Sequence, residues 1–234
     1  MRNNSLSSSV TCCLIFLFVF FFLPASLTFS DELSLSDKHE IINKLTQARK
    51  NIHSIRADLK QEKNLSALKE KINIRGTIIL KKPDLLRLDT EEPFKSQIAF
   101  DGKTMTIYHP DINEAEIYDT TDNKKAQYAM KFFSSSLWSS LEEMEKEFNV
   151  SLYHQDSKVV FELSPLSMVV ARYLTSIVVY YEEKTGIPLQ IISKTPHNDT
   201  IVTTLANIEI NPEVKPETFT IKMPENVWII TADQ

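Results

Sequence analysis

The sequence predicts an α+β protein built on a strongly curved antiparallel β-sheet with helices covering one face. Three observations support this fold class. A helical pattern opens the mature chain, short alternating strands separated by tight turns follow it, and a second helical stretch interrupts the strands between about residues 124 and 148. A sheet that curls around helices without filling its interior leaves a cavity, and an apolar cavity binds apolar ligands.

Residues 1–30 are predicted to be a secretory signal peptide. Arg2 is their only charged residue, and residues 12–23 form a continuous apolar stretch of twelve, which is too short to span a bilayer as a helix. We predict cleavage after Ser30 and export to a bacterial periplasm, with an uncleaved membrane anchor as the alternative. Residues 31–234 then form a single domain.

The cysteine and charge content narrows the possible functions. Cys12 and Cys13 are the only cysteines and lie in the signal peptide, so the mature protein has no disulfide, no thiolate and no lipidated cysteine. An exported protein without disulfides is more typical of a bacterial periplasm than of a eukaryotic secretory route. Loss of Arg2 changes the formal net charge from −5 to −6 without any long basic block in the chain, so nucleic acid is not an expected partner.

The elements follow from the spacing of apolar residues. A stripe recurring every three or four positions predicts an amphipathic helix over about residues 36–52. A period of two then predicts a meander of short strands at 55–59, 72–80, 86–88, 97–100, 105–108 and 115–118. After the second helical stretch, further strands are predicted near Phe219 and Trp228 and at 159–163, 175–181, 189–194 and 201–210.

No pattern for catalysis or metal binding stands in the chain. Gly76, Gly102 and Gly186 are the only glycines, which excludes a phosphate-cradling loop and a G-x-S-x-G nucleophile elbow. His39-Glu40 begins like a zinc-protease helix, but Asn43 occupies the position of the second histidine. We therefore expect no enzymatic activity, no cofactor and no metal.

Five stretches, in this order, carry a family resemblance: "RADLKQEK", "RGTIILKKPDLLRLDTEEP", "IAFDGKTMTIYHP", "YYEEKTGIPLQ" and "NIEINPEVKPETFTIKMPENVWII". The most specific features are Gly76 six residues before Lys82-Pro83, and Pro93 ahead of Asp101-Gly102-Lys103. Taken together, the stretches resemble the LolA family of periplasmic lipoprotein carriers over about residues 41–230.

The resemblance implies an incomplete, strongly curved antiparallel β-barrel with a helical lid over an apolar concave face, as in LolA- and LolB-like proteins. It implies a monomeric carrier that takes an acylated lipoprotein from an inner-membrane ABC transporter of the lipoprotein-release type. The carrier would pass this cargo to an outer-membrane receptor without catalysing a reaction. Each buried methylene is worth about 0.8 kcal/mol, so acyl chains need such shielding in water.

The same resemblance implies a lipid cavity lined by two sets of apolar residues. The sheet contributes Leu59, Ile78, Leu80, Leu86, Leu88, Ile98, Phe100 and Ile107. The lid contributes Phe132, Phe133, Leu137, Trp138 and Leu141. Leu86 and Leu88 stand where the family carries aromatic residues after the proline, which predicts a cavity of different shape.

Lys82 occupies the position at which the family pattern has an arginine that holds the lid by hydrogen bonds. Its parity along the predicted strand places it on the face of Ile78 and Leu80. Arginine offers five donors in a rigid fork, whereas lysine offers a point charge with three. We expect Lys82 to hold the lid more loosely, or Arg87 to share the role; the alternative is that Lys82 is a solvated strand end.

Two other functions stay open on the sequence alone. The fold that the resemblance implies also occurs in soluble sensors of lipids or lipoproteins that regulate an envelope-stress response, as in RseB-like proteins. It also occurs in small-molecule enzymes, because function resides in sites rather than in folds. The sequence leaves open whether the cargo is a triacylated lipoprotein or another lipid.

Overall fold

The computed structural model describes residues 35–120, 144–155 and 157–231. Its helices are α1 (Leu35–Arg49), α2 (Met168–Ala171) and a 3-10 helix (Pro216–Phe219). Its strands are β1 (Ser54–Asn64), β2 (Ile72–Lys81), β3 (Leu85–Glu92), β4 (Ser96–Phe100), β5 (Thr104–His109), β6 (Glu114–Asp119), β7 (Phe148–Gln155), β8 (Lys158–Pro165), β9 (Ser176–Glu182), β10 (Pro188–Lys194), β11 (Thr200–Ile210) and β12 (Trp228–Thr231).

All twelve strands form one open sheet in the order β12-β6-β5-β4-β3-β2-β1-β11-β10-β9-β8-β7. The two ends of this order do not pair, so the barrel is incomplete, and the predicted α+β class with an antiparallel sheet is confirmed with one exception. The exception is β12, which pairs with β6 in parallel. Strand β12 follows a long non-strand segment, and this allows it to return to the sheet in the direction of β6.

Helix α1 packs on the half of the sheet formed by β7, β8 and β9. Ile41, Ile42 and Leu45 of α1 belong to a buried cluster with residues of these strands: Val150, Leu152, Val159, Phe161, Leu163, Ile177, Val179 and Tyr181. These strand residues lie on one face because directly opposed residues in neighbouring strands share a face. We call this side of the sheet the inner face.

The C-terminal segment covers part of the opposite, outer face. Ala99, Tyr108 and Ala115 of neighbouring strands form a second, smaller core with Ile221. The Lys81 Nζ donates a hydrogen bond to the Val214 carbonyl oxygen at 3.0 Å, which ties the end of β2 to the same segment. The outer face is therefore closed by the chain itself beside β4 to β6.

Several sequence expectations differ from the structure in local detail. The helix expected to continue to Phe148 has ended by that residue, which begins β7 instead. Phe219 lies in the 3-10 helix and not in a strand, because Pro216 at its start fixes a turn-forming backbone angle. Helix α2 was not expected; Ser167 caps it by accepting a hydrogen bond from the Val169 N–H.

Gly76 permits a close backbone approach between β2 and β3. A Cβ at this position would lie 2.1 Å from the Asp89 carbonyl oxygen and 2.9 Å from the Thr90 Cα. The pairing of the two strands shifts register between Arg75 and Gly76, so the absent side chain allows the irregularity. A larger residue would have to push the two strands apart.

We expect Gly76→Ala to lower the free energy of unfolding by about 2 to 3 kcal/mol, because the added methyl group overlaps backbone atoms that have no room to shift. Urea denaturation followed by circular dichroism measures the change. Asn73→Ala, at an exposed position of the same strand, is the control and should change stability by less than about 0.5 kcal/mol. Equal effects of the two substitutions would show that the close approach carries no special cost.

Candidate functional site

The candidate site is a continuous apolar surface on the inner face, beyond the part that α1 covers. Its buried members come from β1, β2, β3, β4, β11 and two connections: Ile52, Ile55, Ala57, Leu59, Ile78, Leu80, Leu86, Phe100, Ile187 and Leu205. Partly buried residues pack against them: Leu88, Ile98, Met105 and Ile208. We call these fourteen residues the apolar inner cluster.

Strand register builds this cluster as rows across the sheet. One row passes through directly opposed residues: Ile55, Leu80, Leu86, Phe100 and Met105. The next row runs in the same way: Ala57, Ile78, Leu88, Ile98 and Ile107. Directly opposed side chains contact one another, so each row is a ridge of cross-strand pairs perpendicular to the strands.

The structure brings seven of the eight sheet residues expected at the cavity into the apolar inner cluster: Leu59, Ile78, Leu80, Leu86, Leu88, Ile98 and Phe100. The eighth, Ile107, is half-buried outside the cluster, but its pairing with Ile98 places it on the same face. Their role as a lipid-binding surface stays a prediction. The five lid residues lie outside the residues that the structure describes: Phe132, Phe133, Leu137, Trp138 and Leu141.

Sequence reasoning named no cavity residue from β11 or from the connections next to α1 and β10. Leu205 pairs directly with Leu59, and Ile187 precedes β10. Ile55 and Ala57 alternate with polar residues in the same way as Leu59, so their period was a usable signal. The positions of Ile187 and Leu205 depend on long-range pairing, for which a single sequence carries no local signal.

A buried arginine at the end of α1 borders the apolar inner cluster. Arg49 is 8% exposed, and its guanidinium carbon lies 5.7 Å from the centre of the Tyr181 ring. Its guanidinium donates a hydrogen bond to the Tyr181 hydroxyl. Arg49 follows Leu45 by four positions and so continues the apolar stripe of α1, which explains why a charged residue faces the sheet.

Burial governs the protonation of this pair. Removal from water lowers the pKa of Arg49, and the Tyr181 hydroxyl partly offsets the effect. Burial raises the pKa of Tyr181 to about 12, against the opposing influence of the Arg49 charge and hydrogen bond. Tyr181 is therefore a neutral hydrogen-bonding partner of a charged arginine at physiological pH.

Gly186 makes room for the arginine. A Cβ at Gly186 would lie 2.9 Å from the Arg49 Cγ and 2.7 Å from the Leu45 carbonyl oxygen. The backbone of Gly186 has a φ of +67°, a conformation that other residues rarely adopt. The turn between β9 and β10 thus packs directly against the last turn of α1.

Lys82 and Arg87, the two residues expected to hold the lid, lie in different surroundings. The Lys82 N–H donates a 2.9 Å hydrogen bond to the His53 carbonyl oxygen, which places Lys82 beside the connection from α1 to β1. Burial, followed by the nearby positive charge of Arg49, lowers the pKa of half-buried Lys82. Arg87 pairs with Ile79 and Ala99 and so projects from the outer face, where its Nε donates a 2.8 Å hydrogen bond to Asp89 Oδ1. The structure therefore brings Arg49, and not Arg87, near Lys82.

The open sheet with a helix on its apolar inner face defines the open-barrel class of α+β proteins. Within this class the chain belongs to the LolA family: the model for "Outer membrane lipoprotein carrier protein LolA" matches residues 50–222. No helix in the described part of the chain is long and apolar enough to cross a membrane. The same residues contain no group of three or more His, Cys, Asp or Glu side chains placed to hold a metal ion.

The chain is similar to proteins named outer-membrane lipoprotein carrier protein. One from Histophilus somni is 36% identical over 73 residues, which are 31% of this chain and 36% of that protein. One from Francisella tularensis is 25% identical over 215 residues, which are 92% of this chain and 94% of that protein. The fold is similar to the crystal structure of an uncharacterized conserved protein from Thermus thermophilus, with a TM-score of 0.51 and 9% identity over 83% of this chain and 99% of that one.

We expect the free energy of unfolding to fall as pH rises from about 10 to about 12, because the pKa of Tyr181 is raised in the folded state. Neutral Tyr181 contributes its full stabilisation at pH values below the pKa that it has in the unfolded chain. This contribution is lost as pH rises through the pKa that it has in the folded protein. Tyr181→Phe should show a shallower fall over this range in urea denaturation. Tyr153→Phe, on the outer face, is the control and should follow the wild type; the same slope in all three proteins would contradict the prediction.

Proposed function

We propose that the protein is a periplasmic carrier that shields the acyl chains of lipoproteins, or of a related lipid, and moves them from the inner membrane to the outer membrane. The observation that carries the proposal is the apolar inner cluster, which crosses six neighbouring strands of an open sheet, from β5 to β11, without an interrupting charge. Membership of the LolA family, and relatives named outer-membrane lipoprotein carrier protein, support lipoprotein as the cargo.

The size of the hydrophobic effect explains why such a carrier is needed. Each methylene of an acyl chain that leaves water is worth about 0.8 kcal/mol, so a free lipoprotein stays in its membrane or aggregates. An apolar surface that receives the chain removes most of this cost. The rows of leucine, isoleucine and phenylalanine side chains suit acyl chains, which need contact area but no hydrogen bonds.

A carrier must also release its cargo. We propose that Lys82 helps to hold a lid formed by residues around Phe132 to Leu141 over the inner face, and that acyl chains displace it. Opening the lid costs free energy that cargo binding offsets, so the net affinity stays low enough for a stronger acceptor to take the lipid. Arg49 lies beside Lys82 and is a second cation from which the lid could accept hydrogen bonds.

The proposed partners follow from the direction of transport. An inner-membrane ABC transporter of the lipoprotein-release type supplies the acylated cargo, and an outer-membrane receptor accepts it. The carrier acts as a monomer after removal of residues 1–30, and it catalyses no reaction. Nucleic acid has no part in this function, in keeping with the acidic net charge of the chain.

We expect Ile107→Asn to weaken binding of a synthetic triacylated lipopeptide by about five- to thirty-fold, because a polar amide replaces apolar contact worth ~1 to 2 kcal/mol. Fluorescence anisotropy with a labelled lipopeptide measures the affinity. Thr106→Asn, the adjacent residue on the outer face, is the matched control and should bind like the wild type. Equal affinities for the two variants would contradict the placement of the lipid on the inner face.

We expect Lys82→Leu to slow handover of bound lipopeptide to acceptor vesicles by about five-fold, because a lid that opens at lower cost leaves tighter net binding, by ~1 kcal/mol. Loading and handover are measured separately by lipopeptide fluorescence. Lys81→Leu is the neighbouring control, since the Lys81 ammonium contacts Val214 on the outer face. Unchanged loading and unchanged handover in Lys82→Leu would contradict the lid-holding role.

A further inference from the structure

The large hydrophobic side chains that the described chain exposes are concentrated at one end of the sheet. Antiparallel pairing brings the connections β1–β2, β3–β4, β5–β6 and β8–β9 to the same end, and the parallel pairing of β12 with β6 brings the start of β12 there too. These segments carry eight exposed apolar residues: Leu68, Phe94, Ile112, Leu166, Met168, Val169, Tyr173 and Trp228. We call them the apolar rim.

The opposite end of the sheet has a different surface. Among the described residues, its connections 50–53, 82–84, 101–103 and 183–187 expose none of the large hydrophobic side chains. Ile210, the last residue of β11, is the one exposed large apolar residue at that end, and the exposed Ile229 and Ile230 lie along β12 between the two ends. The asymmetry follows the direction of the strands, so the apolar rim is a property of one end and not scattered surface exposure.

Hydrogen bonds hold three of the rim segments together. The Lys95 N–H, next to Phe94, donates to Asp111 Oδ2 at 3.2 Å. The Trp228 N–H donates to the Asn113 carbonyl oxygen at 3.0 Å, next to Ile112. Phe94, which is 74% exposed, and Trp228, which is 72% exposed, therefore project from connected turns whose backbones are fixed.

The β8–β9 connection has the composition of an interfacial segment. Residues 166–175 read "LSMVVARYLT" and contain one charge, that of Arg172, and no acidic residue. Met168, at the start of α2, is 82% exposed, and Tyr173 combines an apolar ring with a polar tip. Aromatic, aliphatic and basic side chains on short exposed segments suit the boundary between lipid headgroups and acyl chains.

The segments that carry the apolar rim are nearly neutral in charge, whereas the whole protein is acidic. The segments 65–71, 93–95, 110–113, 166–175 and 224–228 together hold four basic and three acidic residues: Lys69, Lys71, Lys95, Arg172, Glu70, Asp111 and Glu225. The whole chain has a formal net charge of −5. The same end of the sheet also holds Asp199 in the β10–β11 connection and Glu145, Lys146 and Glu147 before β7, so this end is close to neutral. Apolar contact, rather than charge, therefore supplies the attraction to a phospholipid surface.

We propose that the apolar rim is a membrane-contact surface that inserts its exposed side chains into the headgroup boundary of a phospholipid bilayer. Separate turn tips, rather than a continuous groove, carry the apolar residues, and this arrangement fits a fluid lipid surface into which each tip enters independently. The inference goes beyond the carrier function, because neither the apolar inner cluster nor Lys82 is part of the rim.

Co-sedimentation with extruded phosphatidylcholine vesicles tests the proposal. We expect the mature wild-type protein to bind, and the triple variant Phe94→Ser/Met168→Ser/Trp228→Ser to lose at least ten-fold in partitioning. Ile210→Ser removes an exposed apolar residue from the opposite end and should bind like the wild type. Addition of phosphatidylglycerol at physiological salt should change wild-type binding by less than about three-fold, because the rim is nearly neutral.

Three results would overturn the proposal: no sedimentation of the wild-type protein with either vesicle, equal loss in the Ile210 control, or binding confined to anionic vesicles. Circular dichroism tests whether the triple variant is folded. If the triple variant is unfolded, the single variant Met168→Ser replaces it, with an expected loss of at least three-fold in partitioning. Lipopeptide binding without vesicles is measured in parallel. Its absence in the wild type would contradict the carrier function and leave the rim result standing.

Discussion

The structure depends on burying the inner face of a sheet that does not close on itself. A closed barrel would fill its interior with its own side chains, whereas the twelve strands here end at β12 and β7 without pairing to each other. Helix α1 covers the β7 to β9 part of the inner face with Ile41, Ile42 and Leu45. The part from β11 to β5 carries the apolar inner cluster, and our account of function assigns the acyl chains of the cargo to that part.

The two parts meet at a polar boundary. Arg49 ends α1, and its stem packs closely against Gly186, with its guanidinium beside the ring and hydroxyl of Tyr181. A buried arginine is costly unless it is hydrogen-bonded, so this contact fixes the end of α1 relative to β9. Lys82, in the connection between β2 and β3, lies near the same arginine, so the residue that we propose to hold the lid is placed beside the fixed end of α1.

Local patterns predicted much of this fold but not its long-range assembly. The alternation around Ile78 and Leu80 and the turns at Lys82-Pro83 and Asp101-Gly102 define the meander of β2 to β5, which explains why seven of eight expected sheet residues share one cluster. The parallel return of β12 and the positions of Ile187 and Leu205 depend on pairing between distant segments. Arg49 was missed because a basic residue near a helix C-terminus is ordinarily explained by the helix dipole and solvent.

The most direct test of the carrier account is native mass spectrometry of the protein purified from the bacterial periplasm. The account predicts a mass increment that dissociates as an acylated polypeptide. Free lipid alone would assign the apolar inner cluster to a different lipid-transfer route. A protein that carries no acyl-bearing molecule, and that takes up no triacylated lipopeptide when one is supplied, would contradict the central claim that the inner face is a lipid-binding surface.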